Sequence, residues 1–335
     1  MKPLVSILIP AYNSAPWIGE TIQSVLNQTW ARKEIIVVVD DGCTDATLAV
    51  ARQFASPMVS VVTRPHQSVA AARNEAFAVA QGEFIQWLDA DDLLAPEKIE
   101  LQMRVAETLT SRRTLLSAEW AFFFFRTAKA RFHPTALWAD LSPADWLMLK
   151  MGRGDHMQPA TWLVRREIIE AAGRWNEELR VDEDGEYFCR LVLASDGIRF
   201  VPGAKVFYRV SGASSTTVKA FSRPDERWRT MQLQFAHLRS LGDTEAVRRA
   251  CVGFLHTWLI FFHPQRPDIV QQAQALAASV GGRLELPKLR WKYAWLEKFA
   301  GYERARRFQF LLPQIKDQLR RRWDKAMYDR ENRGR

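Results

Sequence analysis

Apolar residues open the chain in short β-branched runs, LVSILI (residues 4–9) and IIVVV (35–39), each bounded by proline, asparagine or aspartate. Unbroken runs of this kind predict strands buried on both faces. Between them Trp17, Ile18, Ile22, Val25 and Leu26 recur at helical spacing, with Glu20 in the early turns where the helix dipole favours an acid. ATLAVARQFA then predicts a second helix and Val59 to Val62 a third strand. The alternation implies an α/β fold with a parallel sheet. It continues through the helix VAAARNEAFAVAQ, closed by Gly82 as a C-terminal cap, and the strand EFIQWL. KIELQMRVAETL predicts a helix and AEWAFFFF a strand, followed by a less regular region containing Trp138, Trp146 and GRGDHMQP. TWLVRREIIEAAG combines a strand, a short helix and a glycine stop; Tyr187, Phe188, Leu191 and Val192 then share a helical face that leaves Glu183 and Asp184 at its N-terminal end. From about residue 225 the pattern is helical throughout.

Two of the strands run into carboxylates, VVVDDG and WLDADD. In open α/β sheets, ligands bind beyond the carboxyl ends of the strands, so these acids can converge on one crevice. Asp89-x-Asp91 alone would be an ordinary turn or cap. Following a strand, it offers hard oxygen ligands to a divalent cation that bridges protein and substrate phosphates, whereas zinc would favour histidine or cysteine. No glycine-rich dinucleotide or P-loop motif is present.

Composition changes this picture little: 47% apolar and 25% charged residues are ordinary globular values. Cys43, Cys189 and Cys251 lack metal-site or redox spacing and predict reduced thiols in a cytoplasmic protein. The N-terminus has no secretory pattern, and the most apolar stretches fall short of the roughly 18 residues that span a bilayer. His66, His133 and His156 share no metal-ligand spacing, so each is expected to be a surface or packing residue.

Charge is informative only in its distribution. Residues 288–335 hold 15 Lys and Arg against 6 Asp and Glu, which accounts for the whole formal net charge of +9. An excess confined to one end argues against nucleic-acid binding. Ile315, Leu319, Trp323 and Met327 recur every four residues among these cations. Two readings stand: the stripe packs on the protein, or it lies on an anionic membrane surface, which would place the chain peripherally on the inner face of the cell membrane.

VSILIPAYN (5–13), SVLNQTW (24–30), VVDDGCTD (38–45), AAARNEAFAVAQGEFIQWLDADD (70–92), TWLVRREIIEAAGRWNEEL (161–179) and DEDGEYFCRL (182–191) jointly resemble the family 2 nucleotide-sugar glycosyltransferases. The resemblance implies a GT-A fold, a Rossmann-like mostly parallel sheet flanked by helices. It divides the chain into a GT-A domain, 1–224, and a helical C-terminal region with the basic amphipathic tail, 225–335. It further implies an inverting transfer from a UDP-sugar to a hydroxyl on a glycan or lipid-linked acceptor, with Mn²⁺ or Mg²⁺ as cofactor, in cell-surface polysaccharide, lipopolysaccharide or glycolipid synthesis. Pro10, Ala11, Tyr12 and Asn13 would form the edge beneath the donor base, and Asp41 would accept the uracil N3–H while Asp40 orders the loop. Arg73 would approach the diphosphate or brace the acids, Asp89 would contact ribose and Asp91 would ligate the metal. Asp92 would orient a metal-bound water or cap a turn. Asp184 would be the general base, with Glu183 next in line.

Two positions depart from the family pattern. Cys43 stands where serine is common, a near-isosteric change, and Ser211 stands where a late Tyr-Arg-x-His loop carries histidine. Arg209 and residues 212–215 could still close over the donor. A sugar-phosphate nucleotidyltransferase and a non-catalytic scaffold on a degenerate transferase core are the alternatives. The first lacks its usual glycine- and arginine-rich N-terminal loop here, and the second sits poorly with intact acids at 41, 89, 91 and 184.

Overall fold

The computed structural model describes residues 2–211 and 222–333. Its centre is β1 (Val5–Ala11), every residue of which is buried. β2 (Lys33–Asp40) and β4 (Phe84–Trp87) flank β1 in parallel, and β3 (Val59–Arg64) pairs in parallel with β2. The far half is mixed. β8 (Leu163–Arg165) runs antiparallel to β4 and to β6 (Thr114–Phe123), while β6 pairs in parallel with β9 (Gly197–Arg209). β5 (Leu93–Leu94) closes the edge antiparallel to β9, and β7 (Arg131–Phe132) pairs with β6. The order is β3-β2-β1-β4-β8-β6-β9-β5.

Because β1 is covered on both faces, its alternate residues feed two cores. Val5, Ile7, Ile9 and Ala11 join α1 (Ile18–Leu26), α2 (Thr47–Arg52) and α4 (Lys98–Thr108). Leu8 points the other way, toward α3 (Val69–Val79), whose Ala70, Ala72 and Ala76 let the helix sit close to the sheet. That second core continues through α5 (Pro143–Arg153), α6 (Arg166–Ala172) and α7 (Glu183–Leu193). It also takes in α8 (Pro224–Arg239), α9 (Glu245–Leu259) and α10 (Pro267–Ser279), so these helices share one apolar cluster with the sheet. α11 (Trp291–Asn332) follows, broken at Gly301 by a non-helical φ of 76°.

Three expectations need correction. Helix α3 ends at Ala80 in extended backbone, so Gly82 does not cap it. Gly82 lies against β1 instead: a Cβ there would stand 2.4 Å from Ser6 Oγ and 2.6 Å from the Ser6 nitrogen, a close approach that only glycine permits. The stretch expected to be irregular contains α5, started by Ser142, whose side chain accepts from the Asp145 N–H, and by Pro143 in its first turn. Trp146, Leu147 and Met151 of α5 are buried.

The third correction concerns the tail. Helix α11 does pack on the protein, mainly through polar residues beside the buried Ala305 and the Phe310 ring, 5.6 Å from that of Phe261. Asp324, 5% exposed, accepts from the Arg126 Nε at 2.7 Å and from the backbone N–H groups of Phe125 and Arg126. Arg306 donates to the carbonyls of Ile260 and His263 at 2.7 Å each. The stripe expected to pack faces out: Ile315 is 42% exposed, and Leu319 and Trp323 are each 61% exposed.

Candidate active site

The parallel register of β2, β1 and β4 sets their carboxyl ends along one edge, and the acids follow from it. On one side of that edge, Pro10 and Ala11 are buried strand residues paired with Val38 and Val39, so they can offer a ligand little beyond backbone. Tyr12 is exposed and its ring lies 5.0 Å from that of His66. Asn13 sits at φ 46°, and its side chain accepts from the Thr44 N–H at 2.8 Å, tying the two loops together. The Cys43 sulfur accepts from the Asn13 N–H at 3.4 Å, the contact a serine oxygen would make. Asp41 is exposed and accepts from the His66 N–H at 2.9 Å. Asp40 is turned inward onto the Gly42 N–H at 2.8 Å and the His66 ring at 2.9 Å, ordering the loop as expected.

On the other side lies a cavity of about 360 Å³ whose wall includes Arg73, Asp89, Glu183 and Asp184. Arg73, buried on α3, donates to Asp89 at 2.8 Å and to Glu183 at 3.3 Å, and its guanidinium lies 4.3 Å from the Trp175 ring centre. Trp175 in turn stacks on Tyr187 of α7 at 3.8 Å, so an aromatic layer fixes the start of α7 beneath the arginine. The glycine of DEDGEY has a local cause: a Cβ on Gly185 would lie 2.6 Å from both Asp182 Oδ1 and Gln234 Nε2. Gln234 of α8 donates to Asp182 at 2.7 Å, gripping α7 from the C-terminal helices.

Burial governs the electrostatics here. It pushes the Glu183 carboxyl up to about 7, helped by the charge of Asp184 and opposed by Arg73. Asp91 is likewise raised, chiefly by burial and then by Asp89, while a hydrogen bond from Ser211 works against this. Ser211, at the position of the family histidine, therefore touches the proposed metal ligand. Asp92 is fully buried and held well above the ordinary range, accepting from the Arg209 N–H at 2.8 Å and from Gln158. Its place is a brace between β9 and the acidic loop.

Arg209 does not hang over the donor edge. It is 3% exposed, donating to the Asp91 carbonyl at 2.7 Å, the Phe124 carbonyl at 3.2 Å and Glu20 at 2.6 Å. Residues 212–215, named with it as a lid, lie outside the described residues.

Among the described residues no group of three or more His, Cys, Asp or Glu side chains could enclose a metal ion. The donor set still fits Mg²⁺ or Mn²⁺: Asp91 supplies a hard oxygen, and burial and the nearby Asp89 charge work against its bearing a charge unaided. Such ions take one or two carboxylates and complete their shell with substrate phosphates and water.

The sequence left several cavity residues unnoticed. Lys150, Tyr208, Arg227 and Trp258 all line it, and so does His156, expected to pack or to lie at the surface. Arg227 and Trp258 come from helices whose local pattern reads as ordinary amphipathic surface; only the tertiary fold brings them beside Asp184.

Residues 6–170 match the family described as glycosyl transferase family 2. The chain belongs to that family. An uncharacterized glycosyltransferase of Rickettsia typhi is 36% identical over 222 residues, 64% of this chain and 66% of the relative. The hyaluronan synthase of Pasteurella multocida is 41% identical over 104 residues, 30% of this chain and 11% of the synthase. The chain thus spans about a tenth of that synthase and 61% of a putative Bacillus subtilis glycosyltransferase. Among solved structures, S. aureus TarS 1–349 in complex with UDP-GlcNAc superposes with a TM-score of 0.64 at 18% identity, over 92% of this chain and 91% of TarS 1–349. The Pyrobaculum calidifontis mannosyltransferase in complex with GDP-Man and Mn²⁺ gives 0.54 at 19% identity, over 97% of this chain and 88% of that one. At these identities the likeness is one of fold, the GT-A fold. The family's matched span covers residues 10–13, Asp41, Arg73 and the Asp89–Asp92 loop, and it stops short of Asp184.

Proposed function

We propose that this chain is an inverting, metal-dependent glycosyltransferase that moves a sugar from a nucleotide-diphosphate sugar, a UDP-sugar, to a hydroxyl acceptor in surface-glycan or glycolipid synthesis. One observation carries the reading: on a family 2 scaffold, Asp89 and Asp184 line one cavity at the carboxyl end of the sheet, joined through Arg73 and Glu183. The UDP-GlcNAc of the TarS complex supports the donor class.

In this reading the base rests against Tyr12 and gives its N3–H to Asp41, and Asp89 meets the ribose. Asp91 would hold the divalent ion, which when bound supplies Lewis-acid stabilisation of the departing diphosphate. Asp184 accepts the proton of the acceptor hydroxyl as its oxygen attacks the anomeric carbon from the face opposite the nucleotide, inverting it in one displacement. Arg73 holds Glu183 and Asp89 in fixed relation, so the two halves of the site keep their spacing. Family membership favours this over a nucleotidyltransferase, and the ion pairs of Arg73 with Asp89 and Glu183 favour it over a degenerate scaffold.

The exposed apolar stripe on α11 supports residence on an anionic membrane at the inner face of the cell membrane, beside a lipid-linked or surface acceptor. No helix among the described residues is long and apolar enough to cross a bilayer. Trp291, Trp295 and Phe299 extend the exposed apolar surface, and arginines and lysines of the same helix flank it.

Incubation with a panel of nucleotide-sugars, with Mn²⁺ and then with chelator, tests the chemistry. Release of a nucleoside diphosphate from one donor, dependent on the ion, is expected; no release from any donor under either condition would count against it.

A further inference from the structure

Arg227 presents an unusual arrangement for a buried cation. It is 2% exposed, with its guanidinium 4.8 Å from the ring centre of Trp258 and 5.2 Å from that of Phe261. Its Nε and Nη1 atoms are shut away from solvent and have no hydrogen-bond partner among the described residues. Arg209, equally buried, fills its donors with two carbonyls and a carboxylate. The structural Arg126 leaves one buried donor, Nη2, unpartnered but binds Asp324 and Glu331 through the others, whereas Arg227 leaves two unfilled and has no ion pair within 4 Å among the described residues, a costly state for a buried charge.

The surroundings say what could fill them. Arg227 is part of the wall of the cavity that holds Asp184, and Lys150 and Arg180 line the same space. The fourth cation there, Arg73, is already committed to Asp89 and Glu183. Of the nearby acids, Asp182 is held by Gln234. Burial lowers the pKa of Arg227, while Asp182 and Asp184 oppose this only through space. Acids and cations therefore share the cavity wall: Asp89 and Asp184 line it together with Lys150, Arg180 and Arg227, and of these three cations only Arg227 is buried with donors unfilled.

We infer that the part of this cavity walled by Arg227 is an acceptor subsite for an oxyanion, a phosphate or carboxylate carried by the acceptor, read by Arg227 while Trp258 supplies an apolar flank. A planar guanidinium suits such groups, and an aromatic face beside it suits a sugar ring or lipid stem. The word acceptor rests on the transferase reading above; the oxyanion site itself rests on the geometry alone.

The test is calorimetric titration of the whole chain, kept saturated with UDP so that phosphate cannot enter the donor's diphosphate position, with inorganic phosphate, glucuronate and glucose as probes. Saturable binding of phosphate or glucuronate, and none of glucose, is expected. Arg227→Gln should weaken the bound probe about tenfold or more and Lys150→Gln about threefold. Phosphate bound more tightly than glucuronate points to a phosphorylated acceptor, the reverse to an acidic sugar. If Arg227→Gln loses its cooperative thermal transition, Arg227→Lys is read in its place, with an expected loss of about threefold because the fork is gone and the charge kept. Equal affinities for the wild type and the Arg227 variant, or no saturable oxyanion binding, would overturn the inference. The UDP titration that precedes each run is independent: absence of UDP binding would count against the nucleotide-sugar reading and leave the oxyanion site to be judged by its own probes.

Discussion

The strand-end edge and helix α11 solve opposite problems with the same residue types. At the edge, apolar side chains of β1, β2 and β4 are buried and the charged groups gather where the strands stop. In α11 the arrangement is inverted: Asp324, Arg306 and Gln309 are buried, while Leu319, Trp323 and Phe299 face out. The edge behaves as expected for a domain that buries its own apolar surface. An outward apolar stripe over inward ion pairs suits a helix whose apolar face is covered by something else. In the proposed reading the first region carries the chemistry and the second the location.

Four measurements can break or sharpen that contrast. Asp184→Asn should lower transfer about a thousandfold with donor binding intact, whereas Asp329→Asn on α11 should leave transfer unchanged; steady-state rates and donor titration check both. Ile9→Ala, in the fully buried centre of β1, should cost about 3 kcal/mol of unfolding free energy, while Leu319→Ala should stay within about 0.5 kcal/mol in urea titrations. Replacing Ile315, Leu319 and Trp323 by glutamate should reduce sedimentation with anionic liposomes about thirtyfold and leave transfer to a soluble acceptor untouched; undiminished sedimentation would remove the membrane reading.

The smallest effect is in pH. Glu183 titrates near 7 in the folded chain, above its ordinary 4.5. Between those values the folded state keeps a proton that the unfolded state has released, so stability is fullest below about 4.5 and declines as pH rises toward 7. In Glu183→Gln that part of the decline should vanish, seen as a flatter urea midpoint between pH 5 and pH 8.

Much of the edge was legible from sequence because its signals are local. Continuous aliphatic runs followed by aspartates specify the strands and bring the acids to one edge, and DEDGEY places Glu183 and Asp184 in the first turn of α7. Helix α5 carried its own start signal in Ser142-Pro143, which the neighbouring irregular sequence obscured. Gly82 was misread because a glycine after a helix looks like a cap whether its use is a left-handed turn or room for Ser6. The orientation of α11 could not be read locally at all, since its buried ion pair joins Arg126 and Asp324 across 198 residues. Arg227 was hidden for the same reason: its meaning comes from Trp258 and Asp184, each on another helix.

The central claim is that the acids at the strand ends form a cation-assisted nucleotide-sugar site, and Asp91 is its most exposed assumption. Donor titrated into the wild type and Asp91→Asn, each with Mn²⁺ and with chelator, addresses it directly. Tight binding only in the wild type with Mn²⁺ is the expected result; equal binding in all four combinations would contradict it.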